Sequence, residues 1–306
     1  MPENRKFRRI FRKKILPARW HFFFFSLIVT NTGLGLPTDL WVPATEKIKP
    51  QQSDQWSIGM AKDLSKNVTL TIESYYKTMN NIINYKDGAS FLEIENLDNS
   101  DGTSQDWQDK VTTGKGDSYG FEILLQKKTG RLSGWIGYTW SKTQWVFPEL
   151  NFGKPFFPKY DRRNDISIVG IYELKKNITL SATWVYGTGN ALSVPLAEYQ
   201  SPLISEYGTF PRKTNEFGNK NSFIAEPYHR LDLAIQFHKK VKQHERTWEF
   251  GVYNLYSRKN PFFYEVATNE NYAVVPPSAQ KQPAKLVLKR YSLFPIIPSF
   301  SYNFKF

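Results

Sequence analysis

The sequence predicts an all-β protein, an antiparallel transmembrane β-barrel segment of about ten strands. Three observations carry that expectation. Apolar and polar residues alternate with period two over many segments of about ten residues, the mark of strands with two unlike faces. One face of these segments carries charge and the other almost none, as a wet lumen and a lipid exterior require. Short turns alternate with long polar loops along the chain, the rhythm of barrels with short periplasmic turns and long outer loops.

The elements follow in order. A first strand is expected over Phe22–Thr30. Asp54–Leu64 puts Trp56, Ile58 and Met60 on one face, and Val68–Met79 sets Val68, Leu70, Ile72 and Tyr76 against Thr69, Thr71, Glu73 and Lys77. Ser118–Lys127 opposes Tyr119, Phe121, Ile123 and Leu125 to Gly120, Glu122 and Gln126. Leu132–Trp140 and Asp165–Leu174 continue the pattern, as does Ile178–Tyr186 with Ile178, Leu180, Ala182, Trp184 and Tyr186 together. Arg230–His238 sets Leu231, Leu233, Ile235 and Phe237 against Arg230, Asp232, Gln236 and His238, and Trp248, Phe250 and Val252 follow. The chain ends "SFSYNFKF", with Phe300, Tyr302, Phe304 and Phe306 on one face and Ser301, Asn303 and Lys305 on the other.

Short turns are expected at 63–67, 127–131 and 173–177, with a modest one at 239–246. Long loops are expected at about 31–53, 86–117, 142–164, 188–228 and 268–285. With the short turns in the periplasm, strands starting near 54, 117, 165, 229 and 285 run inward, and those near 22, 67, 131, 177 and 247 run outward. A strand of about ten residues tilted by about 45° rises roughly 23 Å, the height of a bilayer's apolar band. A soluble β-sandwich also alternates, but it does not require this bookkeeping of directions.

Composition agrees. The chain has 306 residues, 16% of them aromatic, and a mean hydropathy of −0.51. No window of about 18 apolar residues marks a membrane helix. The absence of Cys excludes disulfides and thiol chemistry. His21, His229, His238 and His244 show no metal-ligand spacing. Residues 1–20 hold eight Arg and Lys against Glu3, so this arm supplies +7 of the net +13. The body, at +6, is not a nucleic-acid surface. Residues 1–30 therefore form a basic arm with a first strand or a secretory signal at 22–30, and 31–306 form the barrel portion.

Local motifs give weak ligand candidates. Arg162 and Arg163 in "DRRND" face an anionic group, or else pair with Asp161 and Asp165 and fix the loop. Trp41 lies in "GLPTDLWVP", a loop held between two prolines. The aromatics of "KPFFPKY" (154–160) and "NPFFYEV" (260–266) suit either ligand stacking or a girdle at the membrane interface. Asn254 interrupts its strand and reads as a bulge or bend. No catalytic constellation, metal site or cofactor motif can be argued from spacing, so the expectation is not an enzyme.

Several stretches resemble one family. They are "GLPTDLWVPATEKIKPQQSDQWSIG", "ESYYKTMNNIINYKDGA", "YGFEILLQKKTGRLSGWIGYTWSKT", "YDRRNDISIVGIYEL", "TWVYGTGNALSVP", "VYNLYSRKNPFF" and "SLFPIIPSFSYNFKF". In order, they look like the carboxy-terminal part of TonB-dependent outer-membrane receptors of the Bacteroidetes type. The resemblance implies a partial barrel of the roughly 22-stranded kind, here without plug or TonB box, placed in the cell outer membrane. It implies uptake of iron chelates, cobalamin or oligosaccharides, with TonB a partner only of a full-length form. Outer-membrane lipid, lipopolysaccharide and the barrel-assembly machinery are the other implied partners. The terminal strand resembles the assembly signal of outer-membrane clients, which gives Phe300, Tyr302, Phe304 and Phe306 that role. The alternative is a small self-standing passive barrel or adhesin.

Overall fold

A computed structural model describes residues 25–29, 39–87, 107–205, 208–242, 244–269 and 285–306. The strands among them are, in chain order, β1 (Phe25–Val29), β2 (Asp39–Pro43), β3 (Gln52–Ser65), β4 (Val68–Tyr85), β5 (Val111–Lys127) and β6 (Leu132–Val146). Then come β7 (Asn164–Lys175), β8 (Ile178–Gly187), β9 (Ala191–Leu192), β10 (Pro195–Ser205), β11 (Gly208–Phe217) and β12 (Phe223–Ile224). The last are β13 (Tyr228–Val241), β14 (His244–Tyr253), β15 (Phe263–Asn269), β16 (Lys285–Tyr291) and β17 (Ile297–Lys305). No helix among the described residues is long and apolar enough to cross a membrane, which says nothing about a crossing by strands.

Nine strands form one sheet in the order β17-β14-β13-β8-β7-β6-β5-β4-β3, and every pairing in it is antiparallel. Each strand neighbours the next one to join the sheet, so the chain goes up and down without crossing. The connections at one end are tight, as at Lys66–Asn67 and Lys176–Asn177. Those at the other end are long and hold every remaining strand from β9 onward that is not in the sheet.

The register explains why the sequence alternates. Ile72, Ile123, Tyr138, Ile166, Tyr186 and His229 form one continuous row across six strands. Further along the β14 side, Tyr172, Leu180, Ile235, Phe250 and Phe300 form another. These rows share an apolar face whose large side chains stay exposed, among them Trp56, Ile58, Met60, Phe250 and Phe300. The opposite face carries Glu73, Glu122, Thr139, Asp165, Thr183, Asp232, Gln236 and Glu249 at the intervening positions. No second layer covers the apolar face among the described residues. A sheet with its apolar side outward is the inverse of a soluble core.

What core there is gathers at the long-loop end. Ile82, Trp145, Phe147, Leu150 and Phe156 form one buried cluster, and Ile48, Ile83, Tyr85 and Val111 form another. The first is possible because β5 is bare beneath it. A Cβ on Gly116 would stand 2.5 Å from Trp145 Cδ1, and one on Gly114 would stand 2.6 Å from the Phe147 ring. The loop after β6 therefore folds back over β5, and Phe156 pairs with Trp145 by a backbone bridge.

Several expectations need correction. The strand expected at 22–30 appears as β1 but pairs with β2, not with the large sheet, which has nine strands where about ten were expected. Trp41 was placed in a loop; it lies in β2, opposite Leu27. Pro43 is the last residue of that strand, opposite Phe25, a place at a strand end where Pro is tolerated. The loops at 86–117 and 142–164 are shorter than expected, since β5 starts at Val111 and β6 continues to Val146. The polar region 188–228 contains the β10–β11 hairpin, with Pro202 opposite Pro211. It reads as loop because Pro195, Pro202 and Pro211 and the polar residues around them interrupt any regular alternation in the sequence. The last inward strand starts at Ile297, not near 285; β16 instead pairs with β15. The basic arm at 1–20 lies outside the described residues.

Candidate ligand site at the long-loop end

The long loops are tied to one another by buried polar side chains. Lys220 is buried and pairs with Asp87 at 2.8 Å, while its backbone N–H donates to Asn151 Oδ1 at 2.8 Å. Asn221 donates from Nδ2 to the Phe157 carbonyl at 2.8 Å. The loops after β4, β6 and β11 are thereby held together. Asn260 bonds both the N–H and the carbonyl of His229, fixing the loop after β14 to the start of β13.

Asn254 is the bend the sequence suggested. Its φ of 54° is left-handed and its side chain is 1% exposed, a conformation Asn adopts more readily than most residues. Its Nδ2 donates to the carbonyls of Arg258 and Phe294, and its Oδ1 accepts from Arg258 N–H. Its own N–H donates to Asp232 Oδ1 at 2.9 Å. Asp232 also pairs with Arg230 at 2.9 Å, and that guanidinium donates to Tyr228 and Tyr253 and lies 4.0 Å from the Tyr253 ring centroid. Arg230 is thus consumed internally.

A cavity of about 250 Å³ lies within this tied-down end, lined by Lys159, Arg162, Thr188–Asn190, Glu226, Tyr228 and Phe262–Tyr264 among others. Its walls come from the loop before β7, the end of β8, the start of β13 and the start of β15. Gly189 is required by one wall, since a Cβ there would stand 1.8 Å from the Ala225 carbonyl oxygen. Thr188 accepts from Asn164 N–H at 3.1 Å and joins that wall to β7. Tyr264 is buried and its hydroxyl accepts from Glu226 N–H. Glu226 is neutralised by Arg290. Tyr291 donates to Glu265 at 2.6 Å, and that carboxylate pushes the tyrosine hydroxyl up from its ordinary pKa.

The two arginines of "DRRND" separate. Arg163 pairs with buried Asp161 at 2.9 Å and lies 5.0 Å from the Phe157 ring centroid, and it does not line the cavity. Asp161 also accepts from Thr143 N–H at 2.7 Å. Arg162 lines the cavity, its side chain is 47% exposed, and its only ion pair among the described residues is a long one of 3.7 Å to Asp165. Gly187 leaves room for it, with Nη1 3.1 Å from where a Cβ would be.

Trp41 belongs to the β1–β2 pair, not to the elements that form this cavity. The aromatics expected in a girdle sit elsewhere: Phe156 is in the buried cluster, and Phe262, Phe263 and Tyr264 line the cavity. Lys159, Glu226 and Tyr228 carried no signal in the sequence, because they meet only through loops distant in the chain. Phe300, Tyr302 and Phe304 stand on the apolar face against Phe250, Trp248 and His244, with centroids 5.2, 5.5 and 5.3 Å apart, and Phe306 is 90% exposed. No group of three or more His, Cys, Asp or Glu among the described residues is placed to hold a metal ion.

No curated protein matches this chain. Three solved structures resemble it in part. The ferric-catecholate import receptor Fiu from E. coli K12 is 17% identical, with a TM-score of 0.43, over 71% of this chain and 25% of its own. The ferripyoverdine receptor of the outer membrane of Pseudomonas aeruginosa is 14% identical, TM-score 0.43, over 70% and 24%. The FrpB iron transporter from Neisseria meningitidis is 11% identical, TM-score 0.49, over 86% and 32%. The chain spans a quarter to a third of the length of these proteins. The family model "TonB dependent receptor-like, beta-barrel" matches residues 22–255, most of the chain. This chain belongs to that family, the TonB-dependent receptor β-barrels of the cell outer membrane.

Proposed function

We propose that the chain forms part of the wall of a receptor that takes up a nutrient from outside the cell, and that the cavity beside Arg162 receives an anionic group of that ligand. The family supports the first half: its members are receptors and transporters rather than enzymes. The observation that carries the second is Arg162, a half-exposed guanidinium in a cavity walled by Phe262, Phe263, Tyr228 and Tyr264 at the long-loop end. A guanidinium there offers paired donors to a carboxylate or phosphate, and the rings offer faces to a flat ligand. Iron chelates, cobalamin and acidic oligosaccharides are the ligand classes to test. We read the chain as non-catalytic, with residues 31–306 as receptor wall and the basic arm of 1–30 apart from it.

In this reading the apolar face meets outer-membrane lipid, with lipopolysaccharide around the long-loop end. The barrel-assembly machinery recognises the terminal strand, and energy reaches the full-length receptor through TonB. A small self-standing barrel is not favoured. Nine antiparallel strands leave β3 and β17 running the same way, so these edges cannot pair antiparallel with each other. A second copy in the same orientation meets the same mismatch. Closure takes an odd number of further strands, as an arc of a wider barrel does.

The test is ligand binding by outer membranes carrying the receptor, with labelled members of each class. Arg162→Ala is expected to weaken one class about tenfold while the receptor stays in the membrane. Unchanged binding of every class would refute the site.

A further inference from the structure

The short-turn end of the sheet carries a charge pattern that nutrient uptake does not use. On the apolar face, the hairpins end in cations just past the last apolar row. Lys62 lies opposite Leu70, Lys127 opposite Val68, Lys175 opposite Ile178 and Lys239 opposite Arg246. All are exposed. Two guanidiniums reach over rings: Arg131 is 5.6 Å from the Tyr172 centroid, and Arg246 is 5.6 Å from that of Phe304. None of these side chains forms an ion pair among the described residues.

The acids at this end, Asp63, Glu173 and Glu245, occupy the polar face instead. The acids are therefore confined to the polar face, where Lys240 and Lys305 stand opposite Glu245, while the apolar face at this end carries cations without acids. At the long-loop end of the apolar face they mix, with Asp54 and Asp117 near Lys115 and Lys142.

We propose that the short-turn cations form a band that binds the anionic phosphate headgroups of phospholipids in the adjoining, periplasmic leaflet. This rests on the reading above that the apolar face meets lipid and the short turns face the periplasm. A lysine at the end of an apolar row lays its stem along that row and holds its ammonium at headgroup level. Hairpins repeat every two strands, so such cations recur about every 10 Å along the rim. A headgroup in the lipid annulus meets the cations alone. What assigns the band to a lipid headgroup rather than to a soluble acidic protein is its continuity with the apolar rows, since Lys62, Lys127, Lys175 and Lys239 extend the lipid-facing side of the sheet.

The test uses the full chain in bilayers of equal phosphatidylglycerol and phosphatidylcholine, with retained lipids counted by native mass spectrometry. Phosphatidylglycerol is expected to be enriched on the order of fivefold. Enrichment should fall as salt rises from about 0.05 M to about 0.5 M. It should vanish when Lys62→Gln, Lys127→Gln, Lys175→Gln and Lys239→Gln are combined, and persist in Lys305→Gln on the polar face. Equal retention of the two lipids, or enrichment indifferent to salt and to the four substitutions, overturns the proposal. Displacement of the lipid by inorganic phosphate, or tight binding of polyglutamate by the chain in pure phosphatidylcholine, also overturns it, in favour of a free anion or an acidic protein. A chain that enters neither bilayer overturns the membrane reading itself, a different and recognisable failure.

Discussion

Adjacent arginines in this protein have opposite duties. Arg163 neutralises Asp161, a carboxylate only 6% exposed that also holds Thr143 N–H. Arg163→Ala leaves that charge buried without its partner, and about 2–4 kcal/mol of stability should be lost. Arg162→Ala removes a long, exposed pair and should change stability by no more than about 0.5 kcal/mol. Urea unfolding of the two variants in the same bilayer checks the difference; equal effects would mean the pairing does not sort them. Gly189→Ala is the sharper backbone test. A methyl 1.8 Å from the Ala225 oxygen forces the β8 wall away from β12, at a cost of about 1–3 kcal/mol.

The sequence displayed Arg162 and Arg163 as a pair but did not distinguish them. Their separation depends on Asp161, within the loop between β6 and β7, being buried and bonded to Thr143 N–H of β6, a contact between residues whose spacing in the chain carries no period. Asn254 was legible as a break because it interrupts an alternation. The cavity was not, because its walls come from loops far apart in the chain.

Among elements, the strands of the large sheet were legible wherever one face is uniformly apolar, as in β13 and β17. Legibility failed where the faces are not so divided. The first residues of β5, "VTTGKGD", read as loop because their glycines serve contact with Trp145 and Phe147. Gly116→Val should expel that cluster from β5 and loosen the loop after β6, seen as faster protease cleavage at 147–163. Undiminished protection would mean that the cluster does not hold the loop.

Cross-strand chemistry gives a second prediction at this scale. Glu73 stands directly opposite Glu122 on the polar face. Like charges in that position cost about 0.2–1 kcal/mol, so Glu122→Gln should stabilise the sheet slightly in low salt and less in high salt. The β14–β17 edge is bound by the aromatic pairs Phe250–Phe300 and Trp248–Tyr302. Deleting Phe306 should lower the amount of chain in the outer membrane if the terminal strand is the assembly signal; unchanged levels would refute that role.

For the whole molecule, the determining fact is that the large sheet is a single layer with its apolar side uncovered. Folding in water would leave Trp56, Ile58, Met60, Phe250 and Phe300 exposed to solvent, a cost a soluble protein avoids. In lipid the same side chains are already in their solvent, and the remaining demand is that every backbone group be paired. In the sheet every strand except β3 and β17 has a partner on both sides. Their shared direction, with nine strands between and including them, makes the sheet an arc rather than a closed barrel. The sequence suggested an even count because β1 was assigned to the wall; its pairing with β2 removes it.

The natural absence of Cys permits a direct test of which face meets lipid. Single cysteines would be placed at Leu231, Asp232, Leu233, Ala234, Ile235 and Gln236 of β13 in the full chain, in outer membranes. A membrane-impermeant maleimide should label Asp232→Cys, Ala234→Cys and Gln236→Cys and spare Leu231→Cys, Leu233→Cys and Ile235→Cys. Uniform labelling, or labelling of the Leu231–Leu233–Ile235 face instead, would contradict a barrel wall with its apolar side in the membrane.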